Sequence, residues 1–397
     1  MRRVMARVVP LSLCLLLYAL PAAAQPACSS LPSPVIGVGG SASKPLIARI
    51  AARLAASTSP LTVIYQSPGA CFGISHFADH TNITGTASYW DAARVEHSCT
   101  LGAVGVAPDF GMLGTNALLC SGITALPTGI GQFDGPVTSW SFIVPTASTQ
   151  TTVSAEALYF IYGFGAAAGG VAPWTIDTEV YGRNATSAAA IATSLIIDVP
   201  VTRLINIDTS NNQGTVNALN ASTHPENAIG YVSTETTEAG TNPTLVRTLA
   251  YQHYGQSCGY WPGSTSTSFD RRNVRDGHYV PWSQYYFYAP VDSPGHVTDA
   301  ETRNFIGYFT GAVTPPADVP VLDDEIRNGN IPQCAMNVWR DTDFGALYSY
   351  VPPFSCGCHF EEVATGAAPT SCVACTDDTQ CTSGTATHCR FGYCEVS

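Results

Sequence analysis

The stretch Val35-Ile36-Gly37-Val38-Gly39-Gly40-Ser41-Ala42-Ser43-Lys44-Pro45, followed by an amphipathic run from Leu46 to Ser57, decides the fold. Val35–Val38 is apolar and β-branched, as a buried strand requires. It runs into a turn of small residues, and Pro45 sits where a helix can begin. Leu46, Ile47, Ile50 and Leu54 then share one face of a helix over 45–57. A strand that ends in a Gly/Ser turn at a helix N-terminus aims free N–H groups and small hydroxyls at one point, which suits an anion.

The same grammar recurs downstream. Leu61–Gln66 reads as a second strand entering Ser67-Pro68-Gly69-Ala70-Cys71-Phe72-Gly73, and Leu101–Ala107 as a third strand ending at Pro108-Asp109. Strand, helix, strand at this spacing predicts an α/β fold with a parallel sheet. In such sheets ligands sit beyond the carboxyl ends of the strands, where both turns and Asp109 are expected. Further on, Trp140–Pro145, Ile229–Val232 and Tyr285–Ala289 read as strands. Ser154–Gly163, Ile191–Leu195, Val216–Leu219 and Thr298–Thr310 read as helices.

Composition sets limits. The first 24 residues read as a secretory signal: Arg2, Arg3 and Arg7, an apolar core over 8–20, and Ala22-Ala23-Ala24 at the cleavage point. Its removal takes away three of 17 basic residues and none of 29 acids, leaving 14 against 29, a net charge near −15. That surface disfavours nucleic acid. No later apolar run reaches membrane-spanning length, so an integral membrane protein is not expected. Fourteen cysteines in a chain with a signal point to an oxidising compartment, either the periplasm or the cell exterior. Thirteen remain after cleavage, so one thiol is left over; Cys99–Cys120 is the expected local bridge and Cys71 the expected free thiol. From Val351 the chain carries Cys356-x-Cys358 and Cys372-x2-Cys375-x5-Cys381-x7-Cys389-x4-Cys394, a disulfide-stapled module with little core of its own.

These residues resemble the phosphate-type substrate-binding proteins of ABC importers, the two-lobed periplasmic binding proteins. The resemblance spans roughly residues 33–312. Gly39-Gly40-Ser41-Ala42-Ser43-x-Pro45 is similar to that family's first anion loop, and Tyr65-Gln66-Ser67-x-Gly69 to its second. Val104-Gly105-Val106-Ala107-Pro108-Asp109 is similar to the strand ending in an acid that accepts a proton from the ligand. Arg183-Asn184-Ala185-Thr186-Ser187 is similar to the second-lobe loop that carries Arg and Ser. Ala228-Ile229-Gly230-Tyr231-Val232 matches a recurrent strand, and Asp276-Gly277-x-Tyr279-x-Pro281 the return crossing. Where the family has Asp, Gly, Ser, Gly, Thr after the Arg, this chain has Ala185, Thr186, Ser187, Ala188 and Ala189, so the acid that supports the Arg is missing.

The signal peptide over 1–24 and the Cys-rich module over 351–397, a module the family's transport components lack, are read from the residues themselves. The resemblance implies lobe one over 25–138 and 281–350 and lobe two over 139–280. It implies phosphate or a related oxyanion held by Ser41, Ala42, Ser43, Ser67, Gly69, Asp109, Arg183, Thr186 and Ser187, with no cofactor or metal. An ABC permease is the implied partner. A cell-surface or matrix interaction protein reusing the fold is the alternative. A third reading is a serine hydrolase: Gly255-Gln256-Ser257-Cys258-Gly259 has the nucleophile-elbow pattern, with His278 or His296 as base. Trp261-Pro262-Gly263-Ser264 breaks the helix such an elbow needs, so no catalytic residue is assigned. His76-x3-His80 has metal-ligand spacing, but Thr81-Asn82 marks a helix end there.

Overall fold

The computed structural model describes residues 25–382 and 384–396. The signal reading over 1–24, with Cys14, lies outside the described residues. Lobe one begins with β1 (Pro34–Gly39), α1 (Lys44–Ala56), β2 (Thr62–Gln66), α2 (Phe72–Ala78), the hairpin β3 (Ile83–Trp90) and β4 (Glu96–Val106), and β5 (Phe110–Leu113). The long β6 (Ile130–Pro145) leads into lobe two, which holds β7 (Thr152–Ser154), α3 (Ala155–Phe164), α4 (Ala166–Gly169), β8 (Tyr181–Gly182) and α5 (Ala188–Ile196). It continues with β9 (Ile207–Asp208), α6 (Asn212–Ala221), β10 (Gly230–Ser233), α7 (Thr234–Glu238), β11 (Val246–Thr248), β12 (Ala250–Gln252) and α8 (Arg272–Arg275). β13 (Trp282–Pro290), α9 (Ala300–Thr310) and α10 (Val321–Asn328) return to lobe one. β14 (Val338–Trp339), β15 (Tyr348–Ser349), α11 (Gly357–Thr365) and the hairpin β16 (Ala386–Arg390) and β17 (Tyr393–Val396) follow.

One mixed sheet runs through both lobes in the order β10-β6-β13-β5-β1-β2-β3-β4, with β11 also on β6. β1 lies parallel between β2 and β5. It is buried along nearly its whole length, hence its unbroken apolar sequence. A Cβ on Gly39 would lie 2.0 Å from the Met112 carbonyl, so only glycine admits β5 this close. α1 buries Leu46, Ile47, Ile50 and Leu54 against the sheet, each contributing about 1.5–3 kcal/mol relative to exposure.

β6 and β13 carry the chain between lobes. β6 pairs with β13 as far as Ser139↔Trp282, and its next residue, Trp140, pairs with Ser233 of β10. Trp140, Tyr279 and Trp282 are buried there, and the Tyr279 hydroxyl donates to the Trp140 carbonyl at 2.6 Å.

Two expectations are corrected. Leu101–Ala107 is not a parallel strand; its residues up to Val106 are the second half of β4, antiparallel to β3 in a hairpin. The strand that pairs parallel with β1 on that side is β5, whose four residues fall just beyond it. The cysteines also pair differently: Cys28–Cys99 and Cys71–Cys120 replace Cys99–Cys120, and the free thiol is the exposed Cys258 rather than Cys71. The eight later cysteines pair as Cys334–Cys356, Cys358–Cys372, Cys375–Cys389 and Cys381–Cys394. The first of these ties the Cys-rich segment to the body, and the Arg275–Glu361 ion pair at 2.6 Å adds a second tie. Among the described residues no helix is long and apolar enough to cross a membrane.

Candidate functional site

Two turns from lobe one and one helix N-terminus from lobe two meet at a single point. Gly40, Ser41 and Ala42 come from the turn after β1, and Gly69 and Ala70 from the turn after β2. Ser187, Ala188 and Ala189 come from the start of α5. Ser187 caps α5 by accepting from Ala190 N at 3.1 Å, as a serine before an alanine-rich helix should. The alanines let the helix end come close, and leave the first N–H groups of α5 facing the turns.

Arg183 stands in the middle. It is 6% exposed. Its Nη2 donates to the Ser210 carbonyl at 2.6 Å, while Nη1 makes two long bonds, to Ser41 Oγ at 3.3 Å and Asn212 Oδ1 at 3.4 Å. Nε has no hydrogen-bond partner and lies 3.7 Å from Asp208 Oδ1. Burial lowers the guanidinium's pKa, and Asp208 and Tyr231 act in the opposite sense. The support expected directly after Arg183 in the sequence therefore comes from Asp208 on β9 instead. Because Asp208 is 43% exposed, water screens this pair, and the arginine keeps much of its capacity for an anion.

The other candidate residues divide. Ser41 and Gly69 reach the point. Thr186 does not line the point: its carbonyl accepts from Cys71 N at 3.2 Å, a direct bond between the lobes, and its hydroxyl donates to Asn184 Oδ1 at 2.7 Å. Ser43 turns away, its hydroxyl meeting the Gly40 carbonyl at 2.9 Å and the Tyr65 hydroxyl at 2.7 Å, so it braces the turn from inside. Ser67 lines an adjoining groove of about 410 Å3 between the lobes, together with Ser41, Trp90, Asn212 and Glu235.

Asp109 lies at the other end of the sheet. It precedes β5, its carboxylate accepts from Ile36 N at 2.8 Å, and Ile36 is three residues before Gly39, about 10 Å along the strand. Burial first, and then Asp299, push its pKa up to about 6. The β5 end that does face lobe two is Gly114, where a Cβ would sit 3.2 Å from the Trp140 ring and 3.3 Å from Ala188 Cβ. No carboxylate fits there.

The cavity left at the point is about 10 Å3, room for about one water. Trp140, Asn212, Asp208 and Gly114 were not legible as site residues, because their positions depend on strand pairings between distant segments.

The remaining motifs do not assemble. His80 lies outside α2 at φ 49°, and His76 Nδ1 is engaged by Thr81 Oγ1 at 2.9 Å. Among the described residues Ser257 makes no hydrogen bond to a histidine, and the His278 ring packs on Tyr260. Cys375, Cys381 and Cys394 cluster because two disulfides lie side by side.

No protein-family model matches the chain, and no curated protein matches it in sequence. Solved structures do match. A Clostridium perfringens protein assigned as a phosphate ABC transporter substrate-binding protein, with phosphate bound, superposes with a TM-score of 0.53 at 13% identity over 75% of this chain and 99% of its own. An ABC-type phosphate transport receptor from Vibrio cholerae matches with a TM-score of 0.47 at 14% identity over 76% and 100%. A phosphate-binding protein from Stenotrophomonas maltophilia matches with a TM-score of 0.45 at 12% identity over 76% and 91%. The superposition with the Clostridium perfringens protein gives the chain the two-lobed fold of such binding proteins, extended by a disulfide-rich C-terminal segment.

Proposed function

We propose that the chain is a secreted, non-enzymatic binding protein that holds phosphate or a related small oxyanion between its lobes and delivers it to an ABC permease. The observation that carries this reading is Arg183: a buried guanidinium whose Nε makes no hydrogen bond and whose Nη1 is weakly engaged, facing the first turn of α5 and the Ser41 turn. Convergent, charge-assisted donors of this kind suit an oxyanion. The groove lined by Ser41, Ser67 and Asn212 gives the route in. Since the point now holds about 10 Å3, the ligand enters by parting the lobes about β6 and β13. Parting breaks the Cys71–Thr186 and Arg183–Ser41 contacts, as in hinge closure run backwards.

A second reading rests on the same small volume. If the two contacts clasp the lobes for good, the fold serves a cell-surface or matrix interaction protein and the oxyanion point is vestigial. Thermal melting of the oxidised protein with millimolar phosphate, sulfate, arsenate or a phosphonate separates the two. Binding raises the midpoint by linkage, and Arg183→Met removes the rise. An unchanged midpoint with every anion favours the clasped interaction protein.

A further inference from the structure

A second cavity lies far from Arg183, in the seam between the body and the Cys-rich segment. It measures about 450 Å3, within the usual range for small-molecule sites. Its walls are aromatic: Tyr308 and Phe309 from α9, Tyr350 and Phe354 from the segment before α11, and Phe391 from the β16–β17 turn. Five prolines fill the gaps between these rings. One side chain on these walls carries a formal charge, and it is Glu325 of α10.

Glu325 is 3% exposed, and its Oε1 has no hydrogen-bond partner. An unpaired carboxyl is costly to bury, and no lysine, arginine or histidine lines the cavity to balance it. The neighbouring acids of α10 are served: Asp324 meets Arg49 and Arg53, and Asp323 meets Arg327 and His359. The helix thus sends two acids to partners and leaves the third facing an aromatic cavity.

We propose that this seam cavity binds a small quaternary or tertiary ammonium cation, with Glu325 as its counter-ion. Ring faces carry negative potential and attract cations. At the mouth, the Arg390 guanidinium already lies 5.8 Å from the Phe354 ring centre. Inside the mouth no wall residue carries positive charge to hold an anion. Apart from Glu325 the walls are mainly ring and proline faces, which suit the methyl groups of an alkylated ammonium better than the three N–H donors of a primary one. Burial raises the pKa of Glu325 well above its ordinary value; a bound cation shifts it back toward the ionised form. Phe354 and Phe391 are more than half exposed, so the ligand has open access past them.

The test is calorimetric titration of the intact oxidised protein with choline and with its neutral isostere 3,3-dimethyl-1-butanol. Choline binds, and the neutral compound binds about tenfold more weakly or worse. Glu325→Gln lowers choline affinity by about tenfold and brings the two compounds level, without lowering the melting midpoint, since the change removes an unpaired buried acid. Phe354→Ala, at a 64% exposed ring, leaves the fold intact and also weakens choline. Equal affinity for both compounds, full choline affinity in Glu325→Gln, or no choline binding at about 10 mM overturns the proposal.

Discussion

The interlobe point and the seam cavity are opposites. At the first, the sequence advertises donors and the fold brings them together, yet the space is filled. At the second, no motif stands out, yet the fold leaves about 450 Å3 open around one unpartnered carboxyl. Local motifs encode which groups are offered; the space between them is set by side chains from remote segments. Trp140, Gly114 and Ala188 close the interlobe point, and each comes from a different part of the chain.

The largest effect is expected at the buried ion pair between Arg271 and Glu238. Arg271 is 1% exposed, forms a bidentate pair with Glu238, and donates from Nε to the Gly329 carbonyl at 3.1 Å, joining lobe two to the return segment. Arg271→Met should cost roughly 3–5 kcal/mol in chemical denaturation, as for other broken buried pairs. A loss under about 1 kcal/mol would show that the lobes are not held there.

The next effect is on pH. Glu235 of α7 is fully buried at the lobe junction and accepts from the Tyr285 hydroxyl at 2.9 Å. Burial pushes its pKa up to about 7 from 4.5. The folded chain then keeps a proton that the unfolded chain releases between those values. Its contribution to stability is therefore full below about 4.5 and lost as pH rises to about 7, a swing of roughly 3 kcal/mol. Asp343, raised to about 6 by burial, acts in the same direction. The melting midpoint should fall between pH 5 and pH 7.5, and Glu235→Gln should flatten that fall. A midpoint that rises over this range contradicts the burial of an acid at the junction.

Smaller effects sharpen the division of roles among the serines. Ser187→Ala removes the α5 cap and should cost about 1 kcal/mol while also weakening any anion response, because the α5 N-terminus faces the point. Ser43→Ala removes a buried bond to Gly40 and should cost about 1 kcal/mol with the anion response intact. The reverse pattern would place Ser43, and not Ser187, at the ligand.

Much of lobe one was legible because its signals are local. Pro45, the 3.6-residue spacing of Leu46, Ile47, Ile50 and Leu54, and the Gly39-Gly40 turn sit within twenty residues. Asp109 was misplaced because a strand followed by Pro-Asp reads as a strand end, whereas the chain turns there and begins β5. That strand is four residues long, and Gly111 packs against the backbone of Gly73, so it lacks the β-branched run that marks a strand. The pairing of Cys71 with Cys120 and the role of Asp208 depend on tertiary contacts that spacing does not encode.

The proposed function stands on an oxyanion bound at Arg183. Isothermal titration of phosphate and sulfate into the wild-type protein and into Arg183→Met tests it most directly. Saturable binding of at least one of these anions is expected for the wild type and none for Arg183→Met, with the variant still folded by its melting curve. Equal binding by both proteins, or no binding of either anion to the wild type, would contradict it.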